Sequence, residues 1–228
     1  MTGTLVNIAA IIAGSIIGMI IHDKLPKRFV QIVFQAIGLF TLFIGVSMAL
    51  KTDHIILLIM SLVIGSVIGE LLGLEKGMER LADRLKGKLK LRNERFSEGM
   101  ITAFLLYCMG SVTIIGAIEE GLTGKPTLLY MKSIMDGVSS IALASAMGVG
   151  VAFSVIPLLL YQGGITLFAS SVGEYFSDVV VDELTATGGI LLLGLGINIL
   201  EIKKLRILNM LPSLVVVVVL VYLSRLWG

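Results

Sequence analysis

Long apolar runs broken by short clusters of charge dominate this chain and decide the solvent it is written for. A bilayer core about 30 Å thick is crossed by roughly 20 residues of helix. Lipid offers no partner to loose backbone groups, so spanning segments must be helices or closed barrels. Eight runs approach the required length: 4–21, 29–50, 55–73, 99–118, 127–148, 151–172, 187–200 and 210–227. The expected fold is all-α, a polytopic transmembrane helix bundle of about eight spans, or seven if the short run 187–200 is re-entrant. Only Gly148, Val149 and Gly150 separate the fifth and sixth runs, which predicts a tight helical hairpin.

Charge gives an independent reading of the topology. The first loop holds Lys24, Lys27 and Arg28; the third holds Lys76, Arg80, Arg84, Lys86, Lys88, Lys90, Arg92 and Arg95; the seventh holds Lys203, Lys204 and Arg206. These odd-numbered loops carry most of the 18 basic residues. The opposite side is left with Lys51, Lys125 and Arg225, while Lys132 lies within a span. By the positive-inside rule the odd loops are cytoplasmic, which places both termini outside a bacterial cytoplasmic (inner) membrane. No basic run or small-residue cleavage pattern marks the first apolar stretch as a removable signal peptide. The whole of 1–228 is expected to form one transmembrane domain, with 74–98 as a cytoplasmic amphipathic connector inside it. Leu74, Met78, Leu81, Leu85 and Leu89 recur there at helical spacing, between basic faces suited to a headgroup layer. The acidic stretch 174–183, with Glu174, Asp178, Asp182 and Glu183, reads as a solvated outer loop.

Composition closes off several function classes. Charged residues are 15% of the chain and hydrophobic residues 56%, whereas soluble domains carry about 25% charged. A net charge of +2, explained by topology, leaves no nucleic-acid footprint. One cysteine, Cys108, rules out an internal disulfide and a cysteine metal cluster. His22 and His54 fall in loops beside spans and read as interfacial residues. No His-Glu-x-x-His, Gly-x-Ser-x-Gly or Walker pattern occurs, so neither an enzyme, a metal site nor a cofactor is expected.

The polar residues inside the apolar runs carry what chemistry there is. Asp136 lies about 15 Å along the helix from Pro126, near a bilayer midplane. An ionised carboxylate there costs roughly 2.5–3.5 kcal/mol on insertion scales, so it should face protein or water. Lys132 is one turn earlier on the same face and can pair with it, or can snorkel to the outer interface. Ser139 and Ser140 follow within a turn. Asn7, Gln35, Ser111, Thr113, Gln162 and Asn198 supply further polar groups in other spans, and with Asp136, Lys132, Ser139 and Ser140 they form the candidate substrate- or ion-binding set. Gln162-Gly163-Gly164 could interrupt its helix and free carbonyls for ion coordination. Gly14-Ser-Ile-Ile-Gly18 and Gly65-Ser-Val-Ile-Gly69 are small-xxx-small patterns that let helix backbones approach closely. Phe34-Gln35-Ala36 echoes Tyr161-Gln162-Gly163, and Gly65 with Glu70 echoes Gly196 with Glu201, so an internal duplication is conceivable beside chance similarity.

These residues resemble a known family. Gly3-Thr-Leu-Val-Asn7 with Gly14-Ser-Ile-Ile-Gly18, Cys108-Met-Gly110-Ser111 through Gly121-Leu-Thr-Gly124, and Met135-Asp136-Gly137-Val-Ser139-Ser140 are similar to the bacterial domain-of-unknown-function 554 family of YdfK/YqgA-like inner-membrane proteins. Tyr161-Gln162-Gly163, Thr185-Ala-Thr-Gly188-Gly189 and Asn209-Met-Leu-Pro212 extend the resemblance over nearly the whole chain. It implies a polytopic bacterial membrane protein, often guessed to be a transporter, and carries over no site residues. The expected function is a secondary transporter or ion-coupled permease for a small solute or ion, with a membrane scaffold or a passive channel as alternatives. The expected partners are the lipid bilayer and that solute or ion, with a homo-oligomer left open.

Overall fold

The computed structural model describes residues 1–22, 27–88, 95–108, 111–172 and 177–227. The parts of the loop readings that fall elsewhere, including Lys24, Leu89, Lys90, Arg92 and Glu174, lie outside the described residues, as do the side chains of His22 and Ser111. Among the described residues the structure is helical without strands: α1 Thr2–His22, α2 Lys27–Ala49, α3 Ile55–Leu72, α4 Leu74–Lys88, α5 Phe96–Cys108, α6 Ser111–Thr123 and α7 Thr127–Met147. Then come α8 Gly150–Phe153, α9 Val155–Leu158, a π-helical turn Leu159–Gly163, α10 Gly164–Val172, α11 Asp178–Ile199, α12 Ile207–Met210 and α13 Ser213–Trp227.

Five described segments are long and apolar enough to cross a membrane: Thr2–Ile21, Ile55–Leu72, Gly150–Ala169, Asp178–Ile199 and Ile207–Ser224. A sixth is reached if the bent pair Phe96–Cys108 and Val112–Thr123, inclined by 64°, counts as one span. The expected single fourth span is thus two helices. The count of eight is not reached by this measure. Helix α7 is long enough, at 21 residues, but Lys132, Asp136 and its serines dilute its apolarity. The short seventh run is the opposite case: it is the second half of α11, an unbroken 22-residue helix, and not a re-entrant element. Its acidic first turns are helical too, so the outer loop read over 174–183 ends before Asp178.

The apolar surface faces outward, as expected of helices in lipid. On α3 alone Ile55, Ile56, Ile59, Met60, Val63, Val67, Leu71 and Leu72 are all exposed, a run of apolar surface larger than soluble monomers usually show. On α7 the exposed Met131, Ile134, Met135 and Val138 lie opposite the buried Lys132, Ser133, Asp136 and Ser140. The helix therefore turns its polar stripe into protein.

The chain clusters into two compact units, Met1–Ile37 with Glu79–Cys108 and Val112–Gly173, and Gly38–Met78 with Met109–Ser111 and Glu174–Gly228. In the first, α1 packs along α7. A Cβ at Gly14 would strike the Gly137 carbonyl oxygen, and one at Gly18 would lie 2.8 Å from the Ala144 Cβ. Contacts that advance together along both helices, Gly3 with Leu129 and Gly18 with Ala144, make the pair parallel. Gly148, at φ 76°, ends α7, and helix resumes at Gly150, which is the tight hairpin expected. Pro157 has no N–H to give the carbonyl four residues back, and the following helix is correspondingly broken into α8, α9 and the π turn.

In the second unit Gly65 abuts Ser213 and Gly69 abuts Asn209, so α3 runs antiparallel to α12 and α13. Helix α2 is antiparallel to α11, with Gly38 against Leu200 and Gly45 against Leu193. The sequence echoes do not correspond in local structure: Gln35 is exposed in an ordinary helix whereas Gln162 is buried in a π turn, and Glu70 is helical whereas Glu201 sits at φ 57° past a helix end.

Candidate functional site

Asp136 and Lys132 meet inside the first unit. One turn apart on α7, their side chains form a buried ion pair between Lys132 Nζ and Asp136 Oδ2, which removes the snorkelling alternative. Two buried charges are tolerable only when paired and further hydrogen-bonded. The additional donor comes from α1, where Asn7 Nδ2 gives one hydrogen to Asp136 Oδ2 at 2.9 Å and the other to Gln162 Oε1 at 3.3 Å. Gln162 Nε2 in turn donates to Thr4 Oγ1 at 3.1 Å. Asn7 and Gln162 are both fully buried, and among the described residues Asn7 Oδ1 has no hydrogen-bond donor.

Gln162 owes its position to the π turn Leu159–Gly163. One-turn π segments arise where a helix takes up an extra residue, often at functional sites. The interruption expected around Gln162 is therefore a change of helix type, not an unwound strand. The Gln162 carbonyl accepts the Thr166 hydroxyl at 3.1 Å.

On the other side of the pair, Ser140 Oγ donates to the Asp136 carbonyl at 2.6 Å, which leaves the Tyr107 hydroxyl to donate to Ser140 Oγ at 2.7 Å. The Lys132 ammonium lies 5.9 Å from the centre of the Tyr107 ring, within cation–π range. Thr113 Oγ1 donates to the Tyr107 carbonyl at 2.8 Å and so ties α6 to α5. Five segments thus contribute: α1, α5, α6, α7 and the π turn.

Of the candidate set, Asp136, Lys132, Ser140, Asn7, Gln162 and, through Tyr107, Thr113 come together. Ser139 is half-buried on α7 and joins none of the cluster's side-chain bonds among the described residues. Gln35 is exposed on α2 and Ser111 only opens α6. Asn198 belongs to the second unit, where its amide closes the turn after α11, donating to the Leu205 carbonyl at 2.8 Å and accepting from Leu205 N at 2.7 Å. Thr4 and Tyr107 do not stand out in the sequence; a buried tyrosine hydroxyl nearly always finds a partner, and that rule could have singled out Tyr107.

Two buried glutamates escape a reading of the sequence as well, and both hold the start of a helix. Glu120 Oε1 accepts from Gly3 N at 2.7 Å and Thr2 Oγ1 at 2.9 Å, and lies 3.0 Å from the Met1 amine. Glu183, expected to be solvated, is 1% exposed. It accepts Thr52 Oγ1 at 2.7 Å and the backbone N–H groups of Asp53 and His54 at 3.2 Å, just ahead of α3. Carboxylates are favoured at helix N-termini, where N–H groups lack partners. At the other end of α3, Glu70 accepts Arg206 Nη1 at 2.6 Å and Asn209 Nδ2 at 2.7 Å, while Asn209 Oδ1 accepts Glu75 N at 2.8 Å.

A bundle whose apolar surface faces outward around a buried carboxylate–ammonium pair defines a polytopic helical membrane protein. The chain belongs to the family described as "Protein of unknown function (DUF554)", whose profile matches residues 2–222. It is 37% identical over its whole length to the "Uncharacterized membrane protein YdfK" of Bacillus subtilis, covering 99% of that protein. It is 28% identical over 93% of its length to the "Uncharacterized protein YqgA" of Escherichia coli, covering 92% of it. No solved structure matches the chain.

Proposed function

We propose that this protein is an ion-coupled secondary permease of the bacterial inner membrane, with the Asn7–Asp136–Lys132–Gln162 network as its binding centre and no enzymatic activity. The observation that carries the reading is a charged pair buried in an apolar bundle, bonded to Asn7 of a second helix and through Asn7 to Gln162 of a π turn. A passive anchor has no use for such a centre, because well-packed apolar residues of similar volume would serve stability as well or better. Intramembrane ionisable residues that face protein commonly mark substrate or ion pathways. Broken helices near the midplane are a recurring element of secondary transporters, and the segment from Gly150 to Val172 supports the reading in that respect.

The test pairs stability with flux. Thermal shifts of purified protein across amino acids, carboxylates, nucleosides and cations select ligands, and the selected ligand is then followed into proteoliposomes. The double variant Lys132→Met with Asp136→Asn removes both charges at nearly constant volume. It should stay folded and lose flux. Undiminished flux in that variant would remove the network from transport, and absence of flux for every ligand in the wild type would favour the scaffold reading. Flux that neither saturates nor couples to an ion gradient would indicate a channel.

A further inference from the structure

We propose that Asp136, Asn7 and Gln162 form a binding site for a dehydrated alkali-metal cation, for which the Lys132 ammonium is the built-in competitor. This deepens the permease reading and rests on it for its role, though not for its test. The argument begins with Asn7. Its Nδ2 lies 2.9 Å from Asp136 Oδ2 and 3.3 Å from Gln162 Oε1, while its own Oδ1 is buried without a donor among the described residues. A buried carbonyl left unpaired is costly, and half a turn of the amide would exchange Oδ1 for Nδ2. Without a cation that turn is forbidden, since three oxygens would then face one another. With a cation among them, the same turn converts a carboxylate and two amides into three converging oxygen ligands and gives Oδ1 a partner, while the NH2 group takes the place that Oδ1 leaves.

The surrounding groups suit that exchange. Thr4 holds the Gln162 amide by its NH2 group, at 3.1 Å, and so keeps Oε1 turned towards Asn7. The ammonium displaced from Asp136 keeps a partner, because it already lies 5.9 Å from the centre of the Tyr107 ring and can settle further onto that face. That ring is steadied by the bond from its hydroxyl to Ser140. The ligand class follows from the donors. Carboxylate and amide oxygens favour hard cations over transition metals, and among the described residues no three of His, Cys, Asp and Glu gather. One carboxylate balances one charge, whereas calcium sites recruit several oxygens, with carboxylates prominent among them. An anionic ligand is disfavoured because the single ammonium is already committed to Asp136.

The experiment uses the full chain, purified in detergent and titrated with sodium or rubidium tracer against choline chloride at constant ionic strength. Wild type should bind saturably. Lys132→Met, freed of its competitor, should bind about tenfold more tightly or better, as expected when a binding-competent state stops being a minority. Combining it with Asp136→Asn should abolish binding. Equal affinity in Lys132→Met and wild type, or full binding by the double variant, overturns the proposal. If Lys132→Met does not fold, Asn7→Asp decides: it keeps the ammonium and adds a second carboxylate, so affinity should rise, and an unchanged affinity overturns the site. Because binding is read without transport, cation binding without flux removes the permease and keeps the site. Flux without cation binding does the reverse.

Discussion

Asp136 accepts two hydrogen bonds at a single oxygen, one from an ammonium on its own helix and one from an amide on α1. Its neutral replacement therefore acts on its partners more than on itself. Asp136→Asn leaves the Lys132 ammonium buried without a counter-charge, a loss of about 3–5 kcal/mol when one member of a buried pair is removed. The double variant with Lys132→Met should recover most of that in thermal unfolding. Glu183 offers a cleaner case, being a buried carboxylate with donors from Thr52, Asp53 and His54. Glu183→Ala should cost about 1.5–3 kcal/mol, the value of hydrogen bonds to a charged group. The exposed Asp178→Ala and Asp182→Ala should each stay within about 0.5 kcal/mol. Asp136, Lys132, Asn7 and Gln162 are legible in the sequence because ionised groups and amides are costly in an apolar helix and so stand out. Glu183 is not, since an acid in an acidic stretch looks solvated until the chain ahead of α3 folds back onto it. Thr4 and Tyr107 are hidden for another reason: their residue types are ordinary in apolar helices, and only the bonds they make distinguish them.

At the scale of the element, glycine has two opposite meanings in this chain. At Gly14 it allows the α1 and α7 backbones to touch, and a Cβ would meet the Gly137 carbonyl. Gly14→Ala should destabilise by about 1–3 kcal/mol, the usual cost of overpacking a filled interface. At Gly77, inside α4, a Cβ meets nothing within 4 Å, and there Gly77→Ala should stabilise the helix by about 0.5–1 kcal/mol. Thermal unfolding of the two variants side by side checks both signs. The small-xxx-small spacing makes the first role legible in the sequence, because backbone contact demands a small residue at every fourth position of a packed face. The helix α4 is equally legible from its leucine repeat. The π turn at Leu159–Gly163 and the division of the fourth run into α5 and α6 are not. Both are departures from regular helix within sequence that is apolar throughout, where hydropathy has no contrast to report.

For the whole molecule, the directions of the helices within each unit bear on the proposed eight-crossing topology. Helix α1 is parallel to α7, so an odd number of crossings must separate them. If α2 and α3 both cross, the bent pair α5 and α6 must cross as well; as a re-entrant loop it would return the chain to the same side and set α7 antiparallel to α1. The second unit agrees, since the start of α11 holds the chain ahead of α3 through Glu183, while Glu70 near the end of α3 meets Arg206 beyond the end of α11. Those two helices are therefore parallel, and three crossings between them satisfy that order. On that proposed topology the positive-inside rule would place α4 and the Lys203–Lys204–Arg206 turn on the cytoplasmic side. Single cysteines in a Cys108→Ala background, probed with a membrane-impermeant maleimide on intact cells, test the arrangement. Positions 51, 125 and 178, all exposed, should label from outside. Positions 84, 203 and 204, also exposed, should label only after the membrane is opened. Outside labelling at 203 together with inside labelling at 125 would mean that α5 and α6 do not cross, and the parallel packing of α1 on α7 could then not stand in a membrane that α2 and α3 both traverse.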